Sequence, residues 1–232
     1  MELQLPSKYI NRSGDPKYDK FVGRPKLSYS AYGSFNEPAY RGEFFGTYFL
    51  DAPRTGTIFT EFGSAVGGFM ETGEPQDYLT DFDMNVLREA GRPEGAIYEY
   101  EIIIDRGDYI IQGFIDRMIV DAVGGVDVVD FKTGSIEKKK KDYESLDYQQ
   151  TTMYAYALYQ EGYDINSSGV ILFDRKGNTL EAGNKNVLRL TGDIEHIPTP
   201  FSIERAEKFL TKFDKTAKEI EEYYKTFKKY FK

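Results

Sequence analysis

The chain has 232 residues, 30 basic and 38 acidic, a net charge of −8 and 40% hydrophobic side chains. That length allows a single domain with a sizeable core, and the acidic balance excludes a protein that coats nucleic acid through bulk positive charge, though not one that engages it locally. There is no cysteine, which excludes disulfides, thiolate zinc sites and iron–sulfur clusters and fits a reducing cytosol.

No apolar run approaches the roughly 20 residues needed to span a bilayer, and the polar N-terminus predicts no secretory signal. Residues 1–27 read as irregular, with turn signals at Gly14-Asp15-Pro16 and Gly23-Arg24-Pro25. A short helix is expected over 27–35, capped by Ser28 or Ser30. A second helix starts near Thr60, where Phe62, Val66, Phe69 and Met70 form an apolar stripe among small residues. Residues 77–90 predict a third, stopped by Gly91-Arg92-Pro93. The period then changes: 97–104 and 109–120 are β-rich runs around the hairpin signal Asp105-Arg106-Gly107-Asp108. Gly124-Gly125 gives a turn, 126–132 a further strand, and Lys138 to Lys141 a loop. An amphipathic helix over 146–161 closes at Gly162; strands follow at 169–174 and 187–190, and a long helix capped by Ser202 runs to the C-terminus. The 19 tyrosines and 17 phenylalanines read mostly as core and half-buried positions, with base stacking open to some. This order predicts an α/β domain with a mixed sheet.

Charges inside strand-forming runs are costly unless used. Gly113-Phe114-Ile115-Asp116-Arg117 and Asp130-Phe131-Lys132-Thr133-Gly134 place two carboxylates and an amine in adjacent predicted strands. Such groups can hold a divalent metal and activate water on a phosphodiester. Asp130 and Lys132 share a face by alternation. A plain two-residue turn at Gly124-Gly125 would set Asp116 opposite Thr133 and turn Lys132 away from it. A shared face therefore requires an odd loop or a bulge between Val120 and Val128. Downstream, Gln150 and Tyr154 lie one helical turn apart and are good donors to phosphate oxygens.

Together, Gly-x-Ile-Asp-Arg, Asp-Phe-Lys-Thr-Gly and Gln-x-x-x-Tyr-Ala resemble the RecB-like exonuclease branch of the PD-(D/E)xK nuclease superfamily. Leu27-Ser28-Tyr29-Ser30 resembles its first motif, and Gly63-Ser64-Ala65-Val66 the start of its Gly-x-x-x-His helix. The resemblance spans roughly residues 27–160. It implies a restriction-endonuclease-like α/β core of about residues 27–190, a central mixed sheet flanked by helices, and a long C-terminal helix of about 202–231, in one domain over 1–232. It implies that Asp116 and Asp130 ligate Mg²⁺ or Mn²⁺, with the Phe131 carbonyl completing the protein ligands, and that Lys132 positions the attacking water. Gln150 and Tyr154 would contact DNA or order the lysine; Lys138, Lys139 and Ser30 are further expected DNA contacts.

One departure stands out. Where the family helix usually carries a histidine, this chain has Gly67, and its single histidine is His196 in a Pro-flanked segment expected to be a loop. Glu71, one turn on, is the expected third contact, directly or through water. The activity implied is metal-dependent exonucleolytic cleavage of DNA ends, single- or double-stranded, in recombination, repair or end processing. Neither an iron–sulfur cluster nor ATP is expected, the latter because the chain has no Gly-x-x-x-x-Gly-Lys-Ser/Thr motif. The expected setting is cytoplasmic, with phage origin, a homo-oligomer or a recombination partner all compatible. Two alternatives remain at this stage: a weak or inactive nuclease-fold subunit that binds or scaffolds DNA, and an endonuclease.

Overall fold

The computed structural model describes residues 9–11, 16–53, 56–145, 148–177 and 188–230. The expected turn at Gly14-Asp15, the expected starts at Leu146 and Val187, and the last two residues lie outside them. Among the described residues six strands form a mixed sheet: β1 (Lys26–Leu27), β2 (Ile97–Asp105), β3 (Ile110–Val120), β4 (Gly125–Gly134), β5 (Asp164–Lys176) and β6 (Arg189–Pro198). Their order is β1-β3-β4-β5-β6, with β2 also on β3. The helices are α1 (Tyr29–Asn36), α2 (Arg41–Phe44), α3 (Ile58–Thr72), α4 (Asp81–Ala90), α5 (Ile136–Glu144), α6 (Gln150–Gln160) and α7 (Ile203–Tyr230). This is the α/β architecture expected, with its mixed sheet and long C-terminal helix.

The chain divides into two compact units. One comprises Met1–Thr55, Glu101–Gly113 and Glu207–Lys232; the other comprises Gly56–Tyr100 and Phe114–Ala206. The first is built on aromatic rings. Phe49 packs edge-on against Tyr224 and Phe227 of α7, with ring centroids 5.1 and 5.2 Å apart. Tyr32 of α1 stacks on Phe213 at 4.8 Å. Phe44, Phe45 and Phe49 come from α2 and the π-helical turn Phe45–Phe49, neither of which has a sequence signal of its own. A polar knot accompanies them. Arg106 forks onto Asp214 through Nε (3.0 Å) and Nη2 (2.5 Å), and Tyr109 donates to Asp214 Oδ1 at 2.7 Å.

In the second unit, β4 runs between β3 and β5, antiparallel to the first and parallel to the second. One face of this part of the sheet carries Phe131, Ile171 and Phe173. They bury Phe62, Val66, Phe69 and Met70 of α3 and Met84, Val86 and Leu87 of α4. The alternate residues of β5, Val170 and Leu172, face the other way and cluster with Ile136 and Tyr143 of α5 and with Tyr148. Both α3 and α4 start with reciprocal caps, Thr57 with Thr60 and Thr80 with Asp83. The second cap moves the α4 start from the expected residue 77 to Asp81. Asp83 is fully buried and also accepts the Leu190 N–H at 2.7 Å, tying α4 to β6.

Two expected loops are regular structure. Lys138–Lys141 lies within α5. Lysine is a good helix former, Asp174 Oδ1 accepts the Ile136 N–H at 2.8 Å where Ser135 supplies no side-chain cap, and Lys140 pairs with Glu195 at 2.5 Å. His196 lies on β6, paired with Ile171. The polar content of β6 hid a strand that its pairing with β5 supports.

Candidate active site

The β3–β4 connection fixes the geometry. Val120 pairs with Val126 and Arg117 with Val129, and the Asp121 N–H donates to the Gly125 carbonyl at 2.8 Å, so an odd loop of three residues, 122–124, closes the hairpin. Asp121 builds that loop: its Oδ1 accepts the Val123 and Gly125 N–H groups, both at 2.8 Å, while Gly124 takes φ +90°. Continued by one pair, this register sets Asp116 opposite Asp130. The Phe131 N–H donates to Asp116 Oδ2 at 2.6 Å. Lys132 Nζ lies 2.6 Å from Asp130 Oδ2. Thus the structure brings Asp116, Asp130 and Lys132 together.

Asp130 is fully buried. Its Oδ2 takes Lys132 and the hydroxyl of Tyr148 at 2.9 Å, whereas its Oδ1 is buried with no hydrogen-bond partner among the described residues. Burial, and then the neighbouring Asp130 charge, push the Asp116 carboxyl up to about 7 against the opposing pull of Lys132 and the Phe131 N–H. Burial alone would lower the Lys132 ammonium, but Asp130 and Asp116 outweigh it and hold it above its ordinary value. An excess of negative charge in a dry site, with one carboxylate oxygen unsatisfied, suits a cation.

Among the described residues no three His, Cys, Asp or Glu side chains converge as a complete metal cage. Mg²⁺ commonly takes one or two carboxylates and keeps several waters, and the neighbouring carboxylates of Asp116 and Asp130 are donors of that kind. Glu71 is exposed near the end of α3. It makes no hydrogen bond or ion pair to the other three through its side chain among the described residues. The end of its helix is well held: Gly73 caps it at φ +76°, and Arg92 donates to the Met70 and Glu71 carbonyls at 2.9 and 2.5 Å. A Cβ on Gly67 would meet nothing within 4 Å, so packing does not explain the missing side chain there.

Two further side chains belong here. Glu99 sits on β2 at φ +49°, a backbone conformation rare outside glycine. Burial, and then the Glu71 charge, raise its carboxyl above the ordinary range. Its charge in turn acts on Asp116. Nothing in the sequence announces that dihedral. Tyr148 could have been noticed as the aromatic two residues ahead of Gln150. The expected pair is itself connected: Gln150 Nε2 lies 2.8 Å from the Tyr154 hydroxyl and Gln150 Oε1 lies 3.2 Å from that of Tyr148. Tyr154 is buried, which together with the Asp130 charge raises its phenol. Lys138 and Lys139 are exposed on α5, Lys139 paired with Asp142 at 3.1 Å. A Cβ on Gly134 would come within 3.3 Å of Lys139 Cγ, so this lysine packs over the end of β4. Ser30 is exposed on α1 in the first compact unit; the α1 cap is Ser28. His196 is exposed on β6.

Among the solved structures similar to this chain are two at low identity. One is a candidate exonuclease from Eubacterium rectale, 11% identical, covering 94% of this chain and 88% of that one at a TM-score of 0.48. The other is SSO0001, 15% identical, covering 80% and 75% at a TM-score of 0.39. No curated protein matches the chain. The family model for the PD-(D/E)XK nuclease superfamily matches residues 70–229, which include both acidic strands and the lysine. With that match over more than half its length, the chain belongs to the PD-(D/E)XK nuclease superfamily.

Proposed function

We propose that this protein is a Mg²⁺- or Mn²⁺-dependent deoxyribonuclease that degrades DNA from its ends, its two compact units serving a single nuclease domain. The observation that carries this reading is the Asp116, Asp130 and Lys132 group on neighbouring strands, with Asp130 Oδ1 buried and unsatisfied. Asp116, Asp130 and the Phe131 carbonyl would hold the cation; Glu71 joins them directly or through water. When bound, the metal supplies Lewis-acid activation of water and neutralises charge developing on the phosphate. Lys132, kept protonated by its two carboxylates, orients the attacking water and offsets negative charge on the phosphoryl oxygens. Lys138 and Lys139 would meet the DNA backbone, and Gln150 and Tyr154 would contact DNA or order the lysine. Ser30 is a further proposed DNA contact. The biological setting we infer is recombination, repair or end processing in a reducing, cytoplasmic compartment, without ATP.

The intact lysine favours an enzyme over a silent scaffold, because no packing requirement calls for an ammonium beside a buried carboxylate. Linear and covalently closed circular DNA of the same sequence, incubated with Mg²⁺ or Mn²⁺, test the reading. Loss of the linear form with retention of the circle is expected; equal loss of both would mean endonucleolytic cleavage and overturn the assignment to ends.

A further inference from the structure

Asp130 has two oxygens in very different surroundings. Oδ2 receives Lys132 Nζ at 2.6 Å and Tyr148 Oη at 2.9 Å, while Oδ1 is equally shut off from water and has no partner among the described residues. A carboxylate that crowds its donors onto one oxygen leaves the other free to ligate, and the rotation of the group is fixed by whoever holds the first. Lys132 alone is a poor holder: its ammonium sits on a four-carbon stem with many rotamers. Tyr148 is better suited. Its ring stands edge-on to Tyr143, centroids 5.0 Å apart at 83°, and packs onto buried Val170, Leu172 and Ile197. A tyrosine so held has little freedom to take its hydroxyl away.

Its single proton also has a preferred direction. The phenol lies 2.9 Å from an anionic oxygen of Asp130 and 3.2 Å from the neutral amide oxygen of Gln150. The charged acceptor is the stronger and the nearer. With its amide turned over, Gln150 would donate to Tyr148 and accept from Tyr154 across the same two distances, so that all three protons run toward Asp130.

We propose that Tyr148 is a positioning residue for the nuclease reaction, its hydroxyl pinning Asp130 Oδ2 so that Oδ1 is presented to the divalent cation. This inference rests on the metal-dependent reading above. It gives the Gln150–Tyr154 pair a role distinct from touching DNA: through Tyr148 the pair sets the orientation of the acid on β4.

Isothermal titration of Mn²⁺ into the metal-free protein tests it, comparing wild type, Tyr148→Phe and Asp130→Asn. Tyr148→Phe keeps the ring and its packing, so its metal-free melting curve by circular dichroism should stay as cooperative as wild type and fall in midpoint only by the loss of one hydrogen bond to a charged group. Its Mn²⁺ affinity should fall by about 10- to 100-fold, the range found when an outer partner of a metal ligand is removed. Its turnover should fall while KM for DNA stays put, a split that general loosening of the fold would not give. Tyr148→Phe binding Mn²⁺ as tightly as wild type, while Asp130→Asn loses it, would overturn the role of Tyr148 and leave the metal site standing. Wild type and Asp130→Asn taking up Mn²⁺ equally, or not at all, would overturn both.

Discussion

At the scale of single residues, the carboxylates of this protein show how the same group serves opposite ends. Asp214 is held by a bidentate arginine and a tyrosine. Burial raises its pKa, but Arg106 and Tyr109 outweigh that and hold the carboxyl below its ordinary value. A depressed carboxyl stabilises the fold fully above the unfolded value of about 4, and the contribution fades as pH falls through the lower, folded value. Asp214→Asn should therefore lose about 1.5–3 kcal/mol at pH 7, the range for hydrogen bonds to charged groups, as measured by urea denaturation. The gap to wild type should narrow as the pH drops below about 4; a gap independent of pH would mean the ionised form is not what matters. Asp116 is the converse case, raised rather than lowered, by burial first and then by the Asp130 charge. The cluster of Asp116, Asp130 and Lys132 was legible in the sequence because charge inside an apolar strand run is conspicuous. The φ of Glu99 and the hydroxyl direction of Tyr148 were not. The first is +49° and the second points to Asp130, and neither leaves a mark in residue type.

Among the elements, the turn after β3 decides the chemistry, since shifting the register by one residue would turn Asp116 away from Asp130. The need for an odd loop could be read from the sequence, and Asp121 supplies it by accepting two loop N–H groups. Elements with strong local codes were equally legible: α3 and α7 by apolar period, β3 and β4 by alternation. Those set by partners were not. Helix α5 borrows its N-terminal acceptor from Asp174, β6 owes its length to pairing with β5, and α4 begins where Thr80 and Asp83 cap each other. The β5–β6 contact is tight at one point. A Cβ on Gly169 would lie 2.8 Å from the Ile197 carbonyl oxygen, with no flexible side chain to give way. Gly169→Ala should cost about 1–3 kcal/mol, seen as a lower urea midpoint. Wild-type stability in that variant would show that β6 can move aside and would contradict a tight β5–β6 contact at this point.

Across the whole molecule, composition is explained by where the rings and charges go. Aromatics make up 16% of the chain, and in the first compact unit they are spent on α1, α2, the π-helical turn and α7 as an interlocked aromatic core. The net charge of −8 includes carboxylates gathered at the site, where a divalent cation would neutralise part of it. No helix among the described residues is long and apolar enough to cross a membrane. The central claim is that Asp116, Asp130 and Lys132 form a metal-dependent phosphodiesterase centre. Release of nucleotide from end-labelled DNA by wild type, Asp116→Asn and Lys132→Ala, with Mg²⁺ or Mn²⁺ titrated from zero, tests it most directly. Wild type should require the metal, and each variant should lose at least about 100-fold in rate, as removal of one transition-state contact typically does. Metal-independent cleavage, or product ladders unchanged in both variants, would contradict it.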